Sequence, residues 1–169
     1  MKKLLLIGCF CAVSLFAHPH VFLDTYVDVL PDKIDIRWVF DEMSSSMLME
    51  DYDKNRDKKL DANEVAFMEK DHFKTLEPYS YFMHTFNNKE ELDIKDVSNF
   101  SAVFEKRKLV YRFSIAKPSH KKYELRFYDP EMFVALIIKK NFLTCKKEKC
   151  RVEGYDADFY YAYKVLIQE

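Results

Sequence analysis

Residues 53–64 carry oxygen-bearing side chains at the spacing of a calcium-binding EF-hand loop. A hard cation such as calcium takes six to eight oxygen ligands, and alternate loop residues point inward as the backbone wraps round it. The predicted ligands are Asp53, Asn55, Asp57, the backbone carbonyl of Lys59, Asp61 and Glu64. The spacing therefore predicts calcium as a cofactor, with both carboxylate oxygens of Glu64 closing the shell.

Two details of this loop bear on how tightly it would hold calcium. A register starting at Asp51 would put Ala62 at the bidentate position, so only the Asp53 register closes the shell. The sixth position, normally glycine because the chain turns there with positive φ, is Lys58, and that conformation costs a lysine roughly 1 kcal/mol. We therefore expect weak, constitutive binding that braces the loop, in the ~10⁻⁴–10⁻³ M range of extracellular calcium modules. The alternative is a solvated acidic loop between two helices.

The N-terminus has the order of a cleavable signal peptide. Lys2 and Lys3 give a positive start, residues 4–16 are apolar and uncharged, and Ala17 is a small residue before the cut. The apolar stretch is too short to anchor the chain in a bilayer, and no later stretch approaches the length of a membrane span. We predict cleavage after Ala17 and a periplasmic location. Acylation of Cys9 is the alternative, although it would leave an apolar region of only about five residues.

Cleavage after Ala17 would make His18 the first residue, followed by Pro19 and His20. A free α-amine and the Nδ1 atom of the same histidine can chelate one metal ion, and imidazole-rich sites suit zinc, copper and nickel. Pro19 has no N–H to lose, which excludes the common amino-terminal copper and nickel chelate and leaves a histidine-brace-like clamp. The groups available to complete the shell are His72, His84, His120 and Asp24. The alternative is that two histidines near an exposed terminus are incidental.

Two of the four cysteines, Cys145 and Cys150, remain after the predicted cleavage. An even pair in an oxidising compartment predicts a disulfide, here one that staples the end of a hairpin. A thiolate metal site is the alternative, but two cysteines would leave most of a tetrahedral shell unfilled.

Composition bounds the remaining possibilities. Removal of residues 1–17 leaves residues 18–169, enough for a single domain with a hydrophobic core, with 25 basic against 28 acidic residues. A near-neutral chain of mixed charge has no electrostatic basis for binding nucleic acid.

The elements that position these groups follow from periodicity and turn residues. Alternating apolar residues at 34, 36, 38 and 40 predict a strand that forms a hairpin with residues 21–29. Helices are predicted over 42–52, capped by Asp41, and over 64–76, stopped by Pro78. Further strands are predicted at 81–86, 99–105, 108–115, 123–128, 132–139 and 160–167, with turns at 106–107 and 129–130. The predicted fold class is α+β: an antiparallel β-sheet or sandwich with an EF-hand-like helix-loop-helix, residues 41–77, inserted after the second strand.

Several short motifs, taken in order, resemble a family of bacterial periplasmic proteins of poorly defined function. They are residues 18–24 (HPHVFLD), 38–42 (WVFDE), the EF-hand-like loop, 79–82 (YSYF) and 128–130 (YDP). That family is described as the periplasmic component of an uncharacterised transport system. Its members are often encoded beside nickel/cobalt-type membrane permeases, and some are implicated in zinc handling. The resemblance implies transition-metal contact at His18 and His20, an ion in the loop and an inner-membrane permease as partner, whereas Lys58 departs from the loop pattern and no catalytic residue is implied.

Three functions are compatible with these features. The first is a periplasmic metal-binding accessory protein, not an enzyme, that delivers or buffers zinc, nickel or cobalt for a permease. The second is a redox enzyme that holds copper in a histidine brace, although the chain has no nucleophile elbow, no His-Glu-x-x-His helix and no Gly-rich phosphate loop. The third is a calcium-stabilised structural or adhesion module. Transition-metal titration of the correctly processed protein separates the three.

Overall fold

The structure, a computed structural model, describes residues 20–92, 94, 97–157 and 161–169. The predicted signal peptide with Cys9, the predicted metal ligand His18, and residue 160 of the last predicted strand lie outside these residues. The described elements in chain order are β1 (Val21–Val29), β2 (Lys33–Phe40), α1 (Glu42–Tyr52), α2 (Ala62–Met68), a π-helix (Glu69–Phe73), a 3₁₀ segment (Lys74–Phe82), β3 (Met83–Asn87), β4 (Glu90–Leu92), β5 (Val97–Glu105), β6 (Lys108–Ala116), β7 (Lys122–Phe127), β8 (Val134–Ile137), a 3₁₀ turn (Lys140–Phe142), β9 (Leu143–Cys145), β10 (Lys149–Asp156) and β11 (Tyr161–Gln168).

The strands form two sheets. The first has the order β5-β6-β2-β1-β8, and β9 also pairs with β1. The second has the order β10-β11-β7-β3-β4 and is antiparallel throughout. In the first sheet β8 and β9 run parallel to β1, whereas the other pairs are antiparallel. The predicted α+β class is confirmed and the sheets are mostly antiparallel, but the parallel partners of β1 were not predicted.

Alternation along β1 and β2 builds the core between the sheets. Ile34, Ile36, Trp38 and Phe40 are all buried, as their strict period-two spacing predicts. The Trp38 ring lies edge-on to Phe113 of β6, with the ring centroids 4.8 Å apart. Buried apolar side chains from both sheets and from the helical segment belong to one connected cluster.

Turn chemistry sets the β5–β6 hairpin. Lys106 and Arg107 both have positive φ, 51° and 65°, as a two-residue type I′ turn requires. This conformation matches the twist of the flanking strands, so β5 and β6 pair closely at Glu105 and Lys108. The predicted turn at residues 106–107 is confirmed.

The helical segment differs from the prediction at its second helix. The first helix, α1, has the predicted bounds and the predicted N-cap. The second was predicted to run to residue 76 and stop at Pro78, but α2 ends at Met68 and the chain continues as a π-helix and then as a 3₁₀ segment to Phe82. Ser80, Tyr81 and Phe82 have φ near +51° to +55°, so the chain reverses there and β3 begins later than predicted, at Met83.

Strand β8 starts later than predicted, at Val134 instead of residue 132, because Asp129 organises the turn before it. Its carboxylate accepts hydrogen bonds from the main-chain N–H groups of Glu131, Phe133 and Val134. These bonds hold the chain in a turn until Val134, where β8 starts.

Strands β4, β9 and β10 were not predicted. No helix among the described residues is long and apolar enough to cross a membrane.

The predicted disulfide is present, but its structural role differs from the prediction. Cys145 and Cys150 are bonded, with their Cα atoms 6.3 Å apart. Cys145 ends β9 in the first sheet, whereas Cys150 lies on β10 in the second. The bond therefore joins the two sheets and does not staple a hairpin within one of them. Between the cysteines, Glu148 forms a buried ion pair with Lys117.

Candidate functional site

Helix α1 is attached to the sheets at its first turn by two side chains. The Asp41 carboxylate accepts hydrogen bonds from Ser44 N at 2.8 Å and from Phe22 N at 3.0 Å, which ties the helix to the start of β1. Burial raises the pKa of the Asp41 carboxyl, but these hydrogen bonds outweigh burial and hold its pKa below the usual value. The Ser45 hydroxyl accepts from Leu109 N of β6 at 2.9 Å. The N-terminus of α1 therefore has a fixed position on the first sheet.

The first half of the loop at residues 53–61 is held by its own side chains. Asp53 is buried and accepts hydrogen bonds from the N–H groups of Asp57, at 3.2 Å, and Lys58, at 2.9 Å. The side chain of Asn55 accepts from Asp57 N, and that of Asp57 from Lys59 N, each at 2.8 Å. These bonds wrap the backbone around the side-chain oxygens that the sequence predicts as ligands.

Glu64 closes the loop from its far end. The Asp61 and Glu64 side chains form a capping box at the start of α2. Glu64 Oε2 accepts from Asp61 N at 2.9 Å, whereas Oε1 accepts from Lys54 N at 2.7 Å and Asn55 N at 3.3 Å. The buried carboxylate of Glu64 thus contacts both ends of the loop.

The donor set and the backbone of the loop fit calcium. Asp53, Asn55, Asp57, Asp61 and Glu64 supply side-chain oxygen, the atom that hard cations prefer, and Lys59 supplies its backbone carbonyl. Lys58 has a φ of 65°, the left-handed conformation that the sixth loop position demands. The carboxylates here are occupied with main-chain N–H groups, and among the described residues no three His, Cys, Asp or Glu side chains are gathered to hold an ion. Binding would therefore require Glu64 to exchange main-chain hydrogen bonds for the cation.

The predicted transition-metal residues are only partly described. His20 lies exposed just before β1, where its N–H donates to Phe133 O at 2.8 Å and its ring lies 5.2 Å from the Phe133 ring. Among the suggested additional ligands, His84 stacks on Tyr128 at 4.0 Å and its Nδ1 lies 2.8 Å from a carboxylate oxygen of Glu91. The structure does not bring His84 together with His20 in one cavity.

The other suggested ligands are also distributed over the molecule. Asp24 pairs with Lys139, with 3.7 Å between the carboxylate oxygen and Nζ. The Nδ1 atom of His120 is buried and has no hydrogen-bond partner among the described residues. His72 is the one suggested histidine that lines the same cavity as His20.

That cavity has a volume of about 660 Å³ and lies beside α1. Its walls come from the start of β1, the end of β2, α1, the segment 72–82 and the turn 129–134. Most lining side chains are apolar, and Met43, Met47 and Phe133 remain largely exposed at its edge. Its size is typical of small-molecule sites, which occupy about 300–1,000 Å³.

Irregular backbone shapes one wall of this cavity. His72 lies in the π-helix, a conformation frequent at functional sites, and its Nδ1 lies 3.1 Å from the Tyr111 hydroxyl. Burial lowers the pKa of His72, although Asp71 and Asp51 act in the opposite direction. Phe82, at the end of the left-handed run, also lines the cavity. Residues in sparsely populated backbone conformations cluster at binding sites.

A hydrogen bond links α1 to the π-helix behind the cavity. The hydroxyl of Tyr52, the last residue of α1, donates to Asp71 at 2.8 Å. Burial, together with Asp71, raises the pKa of Tyr52 to about 12, so the hydroxyl stays protonated as a donor at neutral pH. The helices on either side of the loop are therefore joined to each other as well as to the sheets.

Sequence reasoning missed the cavity as a site. The one available signal was the pair Met43 and Met47, which lie one turn apart on a predicted helix with polar residues between them. Their shared apolar face, left exposed, marks the edge of the cavity.

Comparison with known proteins supplies a family but no activity. Residues 3–165 match the family model described as "Protein of unknown function (DUF1007)". The chain is 27% identical over 146 residues to an uncharacterised protein of Haemophilus influenzae, a match that spans 78% of this chain and 68% of the relative. No significant match to a solved structure was found.

Proposed function

We propose that this chain, which belongs to the DUF1007 family of proteins of unknown function, is a periplasmic metal-binding accessory protein. In this proposal the loop at residues 53–64 is an EF-hand-like insertion that binds calcium as a structural brace. His18 and His20 bind a transition metal, zinc, nickel or cobalt, for transport or homeostasis at an inner-membrane permease. The protein acts by binding and not by catalysis.

The observation that carries the calcium part is the geometry of the loop. Its first residue, Asp53, and its last, Glu64, are both buried, although each is a carboxylate. Burial of carboxylates is costly unless a cation or hydrogen bonds compensate. Asp53 and Glu64 together accept from five main-chain N–H groups within residues 54–61, so the loop already encloses these two carboxylates. A bound cation would neutralise them.

The left-handed conformation of Lys58 gives a direct test of calcium affinity. Replacement by glycine removes both a conformational cost of roughly 1 kcal/mol and a positive charge beside the ion, so Lys58→Gly is expected to bind calcium at least about fivefold more tightly. Lys58→Gln, which removes the charge but keeps the Cβ atom, is the matched control and should gain less. Titration calorimetry measures both variants. Equal affinities of the two variants would contradict the backbone explanation.

The transition-metal part rests on the terminus and on the location of His20. Imidazole nitrogen suits zinc, nickel and copper, and an α-amine on His18 would add a second nitrogen from the same residue. His20 lies at the start of β1, where its main-chain N–H is bonded to Phe133 O, so its backbone has a fixed position on the protein surface. A ligand on a fixed backbone loses less conformational entropy on binding than one on a free chain.

Zinc titration of the processed chain tests this part. With His18 confirmed as the first residue by mass spectrometry, zinc is expected to bind at micromolar affinity or tighter, and His18→Ala/His20→Ala is expected to lose at least about tenfold, or 1.4 kcal/mol. A variant with one extra glycine before His18 keeps both imidazoles but blocks the α-amine, and it should lose affinity as well. Unchanged zinc affinity in both variants would exclude a zinc site at the N-terminus. Copper selectivity with peroxide-dependent turnover would instead support the redox enzyme.

A further inference from the structure

The cavity beside α1 combines apolar walls with a one-sided set of charges. Trp38, Phe40, Phe82 and Leu48 are among its apolar lining residues. Three carboxylates, Asp51, Asp129 and Glu131, also line it, whereas no lysine or arginine is among its described lining residues. The whole chain contains 27 lysine and arginine residues and 28 aspartate and glutamate residues. The excess of carboxylates among the described lining residues is therefore local to the cavity and does not follow from the overall composition.

Each carboxylate has a defined place at the cavity. Asp129 is buried in the turn before β8, where main-chain N–H groups hold its oxygens at 2.9 to 3.0 Å. Glu131 accepts a hydrogen bond from the Tyr79 hydroxyl at 3.3 Å. Asp51 lies in the last turn of α1, which contains no basic residue, so its charge adds to the negative end of the helix dipole.

His72 does not reverse this sign at neutral pH. His72 is largely buried, and burial lowers its pKa, so its ring is neutral. Asp129 is buried, whereas Asp51 and Glu131 lie exposed at the edge of the cavity, where water weakens their fields. Because no lysine or arginine is among the described lining residues, the three carboxylates together still favour a cation over an anion of the same size.

We propose that this cavity binds a small organic cation with an apolar body, such as a long-chain amine. The apolar walls take the body, since removing methylene groups from water favours binding. The ammonium group lies toward the carboxylates, and the exposed ring of Tyr79 offers additional cation–π surface. Exposed Met43 and Met47 have flexible thioether side chains that adapt to ligands of different shape. The proposal does not require metal binding by His18 and His20, although His20 also lines this cavity.

Three probes with one alkyl chain and different head groups test the proposal. Decylammonium, decanol and decanoate are titrated, below their micellar concentrations, into the full processed chain in calcium-containing buffer freed of transition metals. Decylammonium is expected to bind at least about tenfold more tightly than decanoate, with decanol between them; tenfold corresponds to 1.4 kcal/mol. Asp51→Asn/Glu131→Gln is expected to reduce the preference for the amine over the acid at least about threefold while decanol binding stays the same.

A second variant tests the location. Met47→Lys places a competing cation at the exposed edge and is expected to weaken decylammonium binding at least about tenfold, whereas Val103→Lys, an equivalent change at an exposed residue outside the cavity, should leave it unchanged. Decanoate binding as tight as decylammonium, or no binding of any probe, would overturn the proposal. So would a dimer, seen by sedimentation, that Met47→Lys dissociates, because the cavity would then belong to a second copy of the chain.

Discussion

Calcium is expected to raise the melting temperature of this protein by roughly 5–10 °C, and the Glu64→Gln variant is expected to lose that increase. A ligand present at 100 times its dissociation constant stabilises the native state by about 2.7 kcal/mol. For a domain of this size each kcal/mol raises the melting temperature by about 2–4 °C. Glu64 is the proposed bidentate ligand, so its amide would leave the calcium shell open. Thermal unfolding with and without calcium measures the shift.

The choice of glutamine separates calcium binding from helix capping. Glutamine preserves the side-chain shape and can still serve in a capping box, although its single oxygen cannot accept on both sides, as the two oxygens of Glu64 now do from Asp61 N and from Lys54 N and Asn55 N. The metal-free variant will therefore melt at a lower temperature than the wild type, and only the calcium-induced shift is informative. Glu50→Gln, an exposed change on α1, is the charge-matched control. A full calcium shift in Glu64→Gln would exclude the loop as the binding site.

Replacement of Lys117 by methionine is expected to destabilise the fold by about 1–3 kcal/mol, because it leaves the Glu148 carboxylate with the main-chain N–H of Lys147 but without its charged partner. The side chains of Lys117 and Glu148 are only 8% and 3% exposed, so neither group is solvated in place of the ion pair. Methionine keeps the length and apolar stem of lysine, which limits the change to the charge. Urea unfolding measures the loss, and Lys121→Met, an exposed lysine close by, is the control.

Two further measurements identify the ion pair as the cause. Lys117→Met/Glu148→Gln removes both charges and should recover part of the lost stability, since no uncompensated charge remains. The hydrogen bond from Lys117 lowers the pKa of Glu148, so the pair contributes stability above the ordinary glutamate pKa, and that stability is lost as the pH falls through the lowered value. Lys117→Met should lack this acid-dependent loss. A double variant as unstable as Lys117→Met would contradict the assignment.

Local sequence signals predicted the elements that depend on local chemistry. The Asp41 cap and the bounds of α1 follow from side-chain-to-backbone hydrogen bonding within four residues, and the buried face of β2 follows from alternation. The positive-φ turn at Lys106 and Arg107 is likewise a property of two residues. Each of these features could be predicted from the sequence without knowledge of the residues that pack against it.

Features that depend on distant partners could not be read in this way. The π-helix at Glu69–Phe73 and the left-handed run from Ser80 to Phe82 have no local propensity, and tertiary packing of Phe73 and Tyr81 in the core determines them. Residues 145 and 150 were predicted to bond, but whether they join one sheet or two depends on strand pairing far away in the chain. The cavity is assembled from five separate segments, so no single stretch of sequence contains it.

The parallel pairing of β1 has a consequence for the order in which the chain folds. Residues 21–24 pair with 134–137, and residues 27–29 pair with 143–145, so each contact closes a loop of more than a hundred residues. Closing such a loop costs conformational entropy before the contacts contribute any stability, and this slows folding. The strand that is synthesised first therefore gains its last partners only after nearly the whole chain has emerged. With this topology the first sheet cannot be complete before residue 145 has been synthesised.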